Sequence, residues 1–107
     1  MAGIGSSMMT GMDALQMKLL QAPREAVLRF IVSGIHSLTI QARSFYEEAD
    51  SSSQLLDINE AIHRLSGHLR DLIDAQEPLS SSRIAGITAN LTLMPVGELA
   101  RIEERYL

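Results

Sequence analysis

Cysteine is absent from the 107 residues, which excludes a disulfide framework, a thiolate metal site and a cysteine nucleophile, and suits a reducing cytoplasm. Tryptophan is absent too, and the only aromatics are Phe30, Phe45, Tyr46 and Tyr106. The core must therefore be aliphatic, and platforms for stacking bases or sugars are poorly supplied. Positive charge is scarce: nine basic residues face thirteen acidic ones, for a net charge of −4. Residues 1–53 carry four basic and five acidic side chains and residues 54–107 five and eight, so neither half can build a cationic stripe and no nucleic-acid partner is expected. Long apolar runs are missing as well. The longest uncharged stretch with strong apolar residues, Phe30 to Ala42, is broken by Ser33, Gly34, His36, Ser37, Thr39 and Gln41, and no basic segment opens the chain, so neither a signal peptide nor a membrane span is expected.

What is present is an ordinary globular balance, 46% hydrophobic and 21% charged, far from the composition of disordered chains. Residues 1–7 are small and flexible in composition, and residues 8–107 have the size of a single domain. Six pairs of apolar residues have numbers that add to one hundred: Leu28 with Leu72, Ile31 with Leu69, Ile35 with Leu65, Leu38 with Ile62, Ala42 with Ile58, and Phe45 with Leu55. On each side the spacing alternates three and four, which is the apolar seam of a helix, and the constant sum lets the two seams face each other antiparallel. The fold class predicted is all-α, a small bundle on a long helical hairpin of about 23–49 and 52–76 with shorter flanking helices.

Those flanking helices can also be placed. Met8, Met12, Leu15, Leu19 and Ala22 follow helical spacing, and Pro23 then either opens a new helix at its first position or kinks a continuous one. Ser51 and Gln54 have the spacing of a capping box, while Pro78 disfavours helical geometry at Glu77 and closes the third helix. The serines at 80 to 82 supply an N-cap for a fourth helix, Arg83 to about Thr92, and Pro95 starts a fifth carrying Val96, Leu99, Ile102 and Tyr106.

One twelve-residue seam does not offset the entropy of ordering two long helices. More apolar surface has to be covered, and the second helix is apolar nearly all round at its start, with Ala26, Val27, Leu28, Phe30, Ile31 and Val32. The short helices can supply that cover, or a second copy of the chain can. Gly34 faces Ser66 by the same sum rule, and Gly34 and Gly67 point to close backbone approach, although Gly67 reads equally well as a tolerated glycine on a solvated face.

Polar constellations are few. Glu60, Arg64 and His68 recur every four residues on the third helix, and His36 pairs with Arg64 by the sum. An acid, a cation and an imidazole on one stripe are the ingredients for protonating a phosphate ester, and equally for a surface ion pair beside a boundary histidine. The run Arg64, Leu65, Ser66, Gly67, His68 resembles the Arg and His motif of the helical HEPN-type ribonucleases. That resemblance implies catalytic roles for Arg64 and His68 across a dimer interface. The run is shorter than the family's usual spacing, and no Asn or Asp follows Arg64. His63 and His68 lie about 140° apart around a helix and cannot share a metal ion. The serines gather at caps, and Gly3, Gly5 and Gly11 precede no phosphate loop, so no cofactor or metal is expected.

Eight of the nine basic residues are Arg, a set suited to bidentate anion contacts and equally the mark of a compositional bias. Met8, Met9, Met12 and Met17 offer either core filling or an adaptable docking surface, and a first helix that undocked would leave room for a partner helix. The function that remains is a non-catalytic protein-interaction or regulatory module, homodimeric or with a protein partner. The alternatives are a phosphoester-cleaving enzyme of the HEPN-like kind using Arg64 and His68, and a bundle binding an apolar small ligand.

Overall fold

The computed structural model describes residues 11–47 and 52–107. Five helices follow one another: α1 (Gly11–Gln21), α2 (Arg24–Tyr46), α3 (Ser52–Asp74), α4 (Ser81–Ala89) and α5 (Val96–Tyr106). Met8, Met9, the capping-box Ser51 and residues 48–49 of the expected second helix lie outside the described residues, and the described part of that helix ends at Tyr46 with Glu47 as its C-cap.

The hairpin of α2 and α3 is the largest helix–helix interface, and all twelve seam residues belong to the core. Ile31, Leu38, Leu65 and Leu72 are fully buried, and Ala42 and Ile58 nearly so. In every pair but Phe45 with Leu55 at least one member is buried, so the seam tightens away from the end where the chain reverses. The other end is fastened by Arg24. Its guanidinium donates to the carbonyl of Glu77, in the loop beyond α3, at 2.6 Å and to that of Leu72, a last-turn carbonyl that the end of α3 leaves without a helical partner.

That fastening changes the helix boundary. The expected helix to residue 76 stops at Asp74, and Gln76 takes a positive φ of 51°, the left-handed conformation with which many helices end. Pro23 and Pro95 differ from expectation by one position: both are N-caps with extended backbone, not first helical residues. Each contributes only its carbonyl, accepting from Val27 and Leu99 respectively. Because Pro23 is extended, α1 and α2 are separate helices. Ser80 does cap α4, its hydroxyl accepting from the Arg83 amide at 3.1 Å, and α4 therefore begins at Ser81 and gives way to turns after Ala89.

The short helices cover what the hairpin leaves open. α5 packs on α2, α4 on α3, and α1 on α4. Val27 and Phe30 are buried within the single chain, so the apolar start of α2 needs no second copy to cover that side. Leu15 and Leu19 anchor α1 in the core, Gln16 donates to the buried Thr88 hydroxyl at 3.0 Å, and Lys18 meets Glu103 of α5 at 2.6 Å. Gly34 is buried, but its close neighbour is not Ser66. A Cβ there would lie 3.2 Å from Leu91 and 3.7 Å from Met94, so the missing side chain admits the α4–α5 connection. Ser66 instead bonds its own helix at the Ile62 carbonyl, and Gly67 meets nothing within 4 Å.

Candidate functional site

The stripe Glu60, Arg64, His68 is one stripe only locally. Each four-residue step turns about 40° around a helix, so Glu60 and His68 differ by about 80°. Glu60 and Arg64 stay exposed, joined as an i,i+4 ion pair, and they line an open cleft of about 230 Å³ between α3 and the end of α4, opposite Asn90 and Leu93. An exposed pair of this kind contributes a few tenths of a kcal/mol.

His68 has turned towards α4. Its Nδ1 lies 3.0 Å from Nη1 of Arg83, and its ring rests against Gly86. It lines a different cleft, of about 300 Å³, shared with Glu77, Pro78, Ser80, Ser82 and Arg83. Burial lowers the affinity of the ring for a proton, and the Arg83 charge lowers it further, with Asp71 opposing. A guanidinium only donates, so Nδ1 accepts and the neutral ring carries its proton on Nε2.

His36 stands apart from both. It is exposed on α2 and lines a third cleft, about 240 Å³, between α2 and α5. The sum rule matches levels along the two helix axes and says nothing about direction around them. His36 and Arg64 share a level, yet each faces away from the seam into its own cleft. The four candidate residues are thus distributed over three clefts.

The group that the sequence did not reveal is Arg83. Its guanidinium, 19% exposed, joins Asp71 at 3.2 Å, Glu77 and His68. The Glu77 hydrogen bond is the main cause that raises its pKa above the ordinary value. The partners come from α3 and from the loop before α4, so no sequence spacing announces them. Two arginines, Arg24 and Arg83, therefore converge on Glu77 through its carbonyl and its carboxylate, locking the α3–α4 connection against the start of α2.

Among the described residues no group of three or more His, Asp or Glu side chains is placed to hold a metal ion, and no helix is long and apolar enough to cross a membrane. Comparison of the chain with protein-family models, with curated proteins and with solved structures finds no match.

Proposed function

We propose that this chain is a non-catalytic interaction module that works as a homodimer, joined through the outward face of α2. The observation that carries this reading is the pattern of that face. Val32 and Ile40 are 51% and 55% exposed on either side of His36, with Arg29 and Arg43 next outward and Glu25 and Glu47 beyond them. The residue numbers of these pairs all add to seventy-two, so the face reads the same from either end.

A two-fold axis at His36 lays two such helices antiparallel, with Val32 against the partner's Ile40 twice over, as an isologous contact requires. The same register sets Arg29 level with Arg43 and Glu25 level with Glu47 across the axis, each arginine four residues, about 6 Å along the helix, from a glutamate of the second copy. The apolar centre supplies the affinity, and the like charges level with one another at its ends keep the contact weak. One helix face is a narrow contact, which belongs to weak, concentration-dependent association.

Catalysis has less support. The ribonuclease reading needs Arg64 and His68 at one phosphate, whereas they open on separate clefts, and each is engaged, Arg64 by Glu60 and His68 by Arg83.

Sedimentation equilibrium from about 1 μM to about 1 mM, the range in which a contact worth about 4 to 8 kcal/mol becomes populated, tests the proposal. The wild-type chain is expected to shift from monomer towards dimer, and Val32→Asp to remain monomeric with an unchanged melting temperature. A wild-type chain that stays monomeric throughout, or a Val32→Asp variant that dimerises equally well, overturns it.

A further inference from the structure

The cleft between α2 and α5 collects hydrogen-bond donors, of which the Ser33 and Ser37 hydroxyls and the Arg105 guanidinium have no hydrogen-bond partner among the described residues. We propose that it binds a compact organic oxyanion, a phosphate monoester or a carboxylate on a small apolar body.

Ser33 and Ser37 line the α2 wall, one turn apart and half-buried. Hydroxyls inside a helix usually bond back to a carbonyl of the preceding turn, as Thr39, Ser44 and Ser66 do here. Among the described residues Ser33 and Ser37 make no such bond and have no other partner, so both hydroxyls remain able to donate to a ligand. His36 stands beside them on the same wall.

The opposite wall carries Arg101 and Arg105, four residues apart on α5. Like charges at this spacing repel by a few tenths of a kcal/mol, and a bound anion relieves the repulsion. Arg101 is partly neutralised by Glu98 at 2.9 Å. Arg105 is not: among the described residues it forms no ion pair, and its guanidinium lies over the Tyr106 ring, 5.7 Å from the centroid. Glu25, which shares the next cleft with Arg105, is already taken by Arg29 at 2.7 Å. In a chain of net charge −4 the lining thus holds two arginines against one glutamate, a local excess that attracts anions. A guanidinium with free N–H groups binds carboxylate or phosphate through two parallel bonds.

The remaining lining sets the size and character of the ligand. Ile40, Ile102 and Tyr106 give one end of the cleft an apolar surface, suited to a ring or short alkyl group. Its volume of about 240 Å³ falls just below the roughly 300 to 1,000 Å³ of drug-sized sites, so the ligand is small. Glu98 is the one acid in the lining, and it weakens binding without preventing it.

The test is an NMR titration of the isotope-labelled full chain at constant ionic strength, with inorganic phosphate, phenyl phosphate, phenylacetate and neutral benzyl alcohol. Saturable shifts are expected at the amides of Ser33, Ser37, Arg101 and Arg105. The better of the two aromatic anions should bind about tenfold tighter than inorganic phosphate, and benzyl alcohol should leave the cleft unshifted. Which of them binds more tightly identifies the head group. Arg105→Ala should weaken binding about tenfold, Glu98→Gln should strengthen it, and Arg64→Ala, in the separate cleft between α3 and α4, should leave it unchanged. Failure of both aromatic anions to saturate, shifts spread equally over Arg64 and Arg70, or an Arg105→Ala variant with wild-type affinity would overturn the proposal.

Discussion

Nη1 of Arg83 lies 3.0 Å from Nδ1 of His68, so the imidazole accepts from a cation and is held neutral. The same guanidinium binds Asp71 and Glu77, and one protonation event on His68 would place a second positive charge inside this cluster.

Stability should therefore depend on pH through His68. Burial first, and Arg83 second, lower its pKa in the fold; the unfolded ring titrates near about 6.5. Below that value the unfolded chain binds the extra proton more readily than the folded one. The contribution is complete above about pH 6.5 and is lost as the pH falls towards the folded pKa. Urea titrations between about pH 5 and pH 7.5 should show a steeper loss for the wild type than for His68→Asn, whose carbonyl can still accept from Arg83. Parallel curves would show that the ring is not the sensor.

Glycine substitutions should divide by location. A Cβ on Gly67 meets nothing within 4 Å, so Gly67→Ala should stabilise α3 by up to about 1 kcal/mol through helix propensity. A Cβ on Gly86 would lie 3.0 Å from Cε1 and 3.2 Å from Nε2 of His68, a ring that Arg83 prevents from moving aside. Gly86→Ala should cost about 1 kcal/mol or more despite the same propensity gain. Thermal melts in a His68→Ala background supply the control, because removing the ring should abolish the penalty.

The hairpin seam and the exposed stripe of α3 should respond very differently to truncation. Leu38 is fully buried, and Leu38→Ala should cost about 2 to 5 kcal/mol, the transfer term plus the cavity left between α2 and α3. Arg64→Ala, which removes a surface pair with Glu60, should fall within about 0.5 kcal/mol of wild type. Denaturant midpoints of the two variants measure this contrast, and a tolerant Leu38 would mean that the seam is wrongly registered.

Gln76 holds a left-handed backbone conformation at φ 51°, which costs a residue with a Cβ about 1 to 2 kcal/mol. Glycine removes that strain but adds about 0.5 to 1 kcal/mol of chain entropy. Gln76→Gly should raise stability modestly, by about 0.5 to 1 kcal/mol, and shift the denaturation midpoint upward without changing its slope. A fall in stability would show that the Gln76 side chain contributes something its backbone geometry does not suggest.

The spine of the fold was legible in the linear chain because it is a periodic quantity. Apolar residues every three and four positions define a seam, a constant sum defines its partner, and both are read without knowing where anything else lies. Pro23, Ser80 and Pro95 mark helix starts for similarly local reasons: a missing N–H, a capping oxygen and a preset φ act within one turn. Tertiary structure alone decided which way each polar residue faces around its helix and what lies opposite. Gly34 meets Leu91 and Met94 rather than Ser66; Glu60 and His68 diverge into separate clefts; Arg83 gathers partners from α3 and a loop. These outcomes depend on where α1, α4 and α5 dock, and that docking is settled by burial and packing between segments far apart in the chain, which no spacing along a single helix encodes.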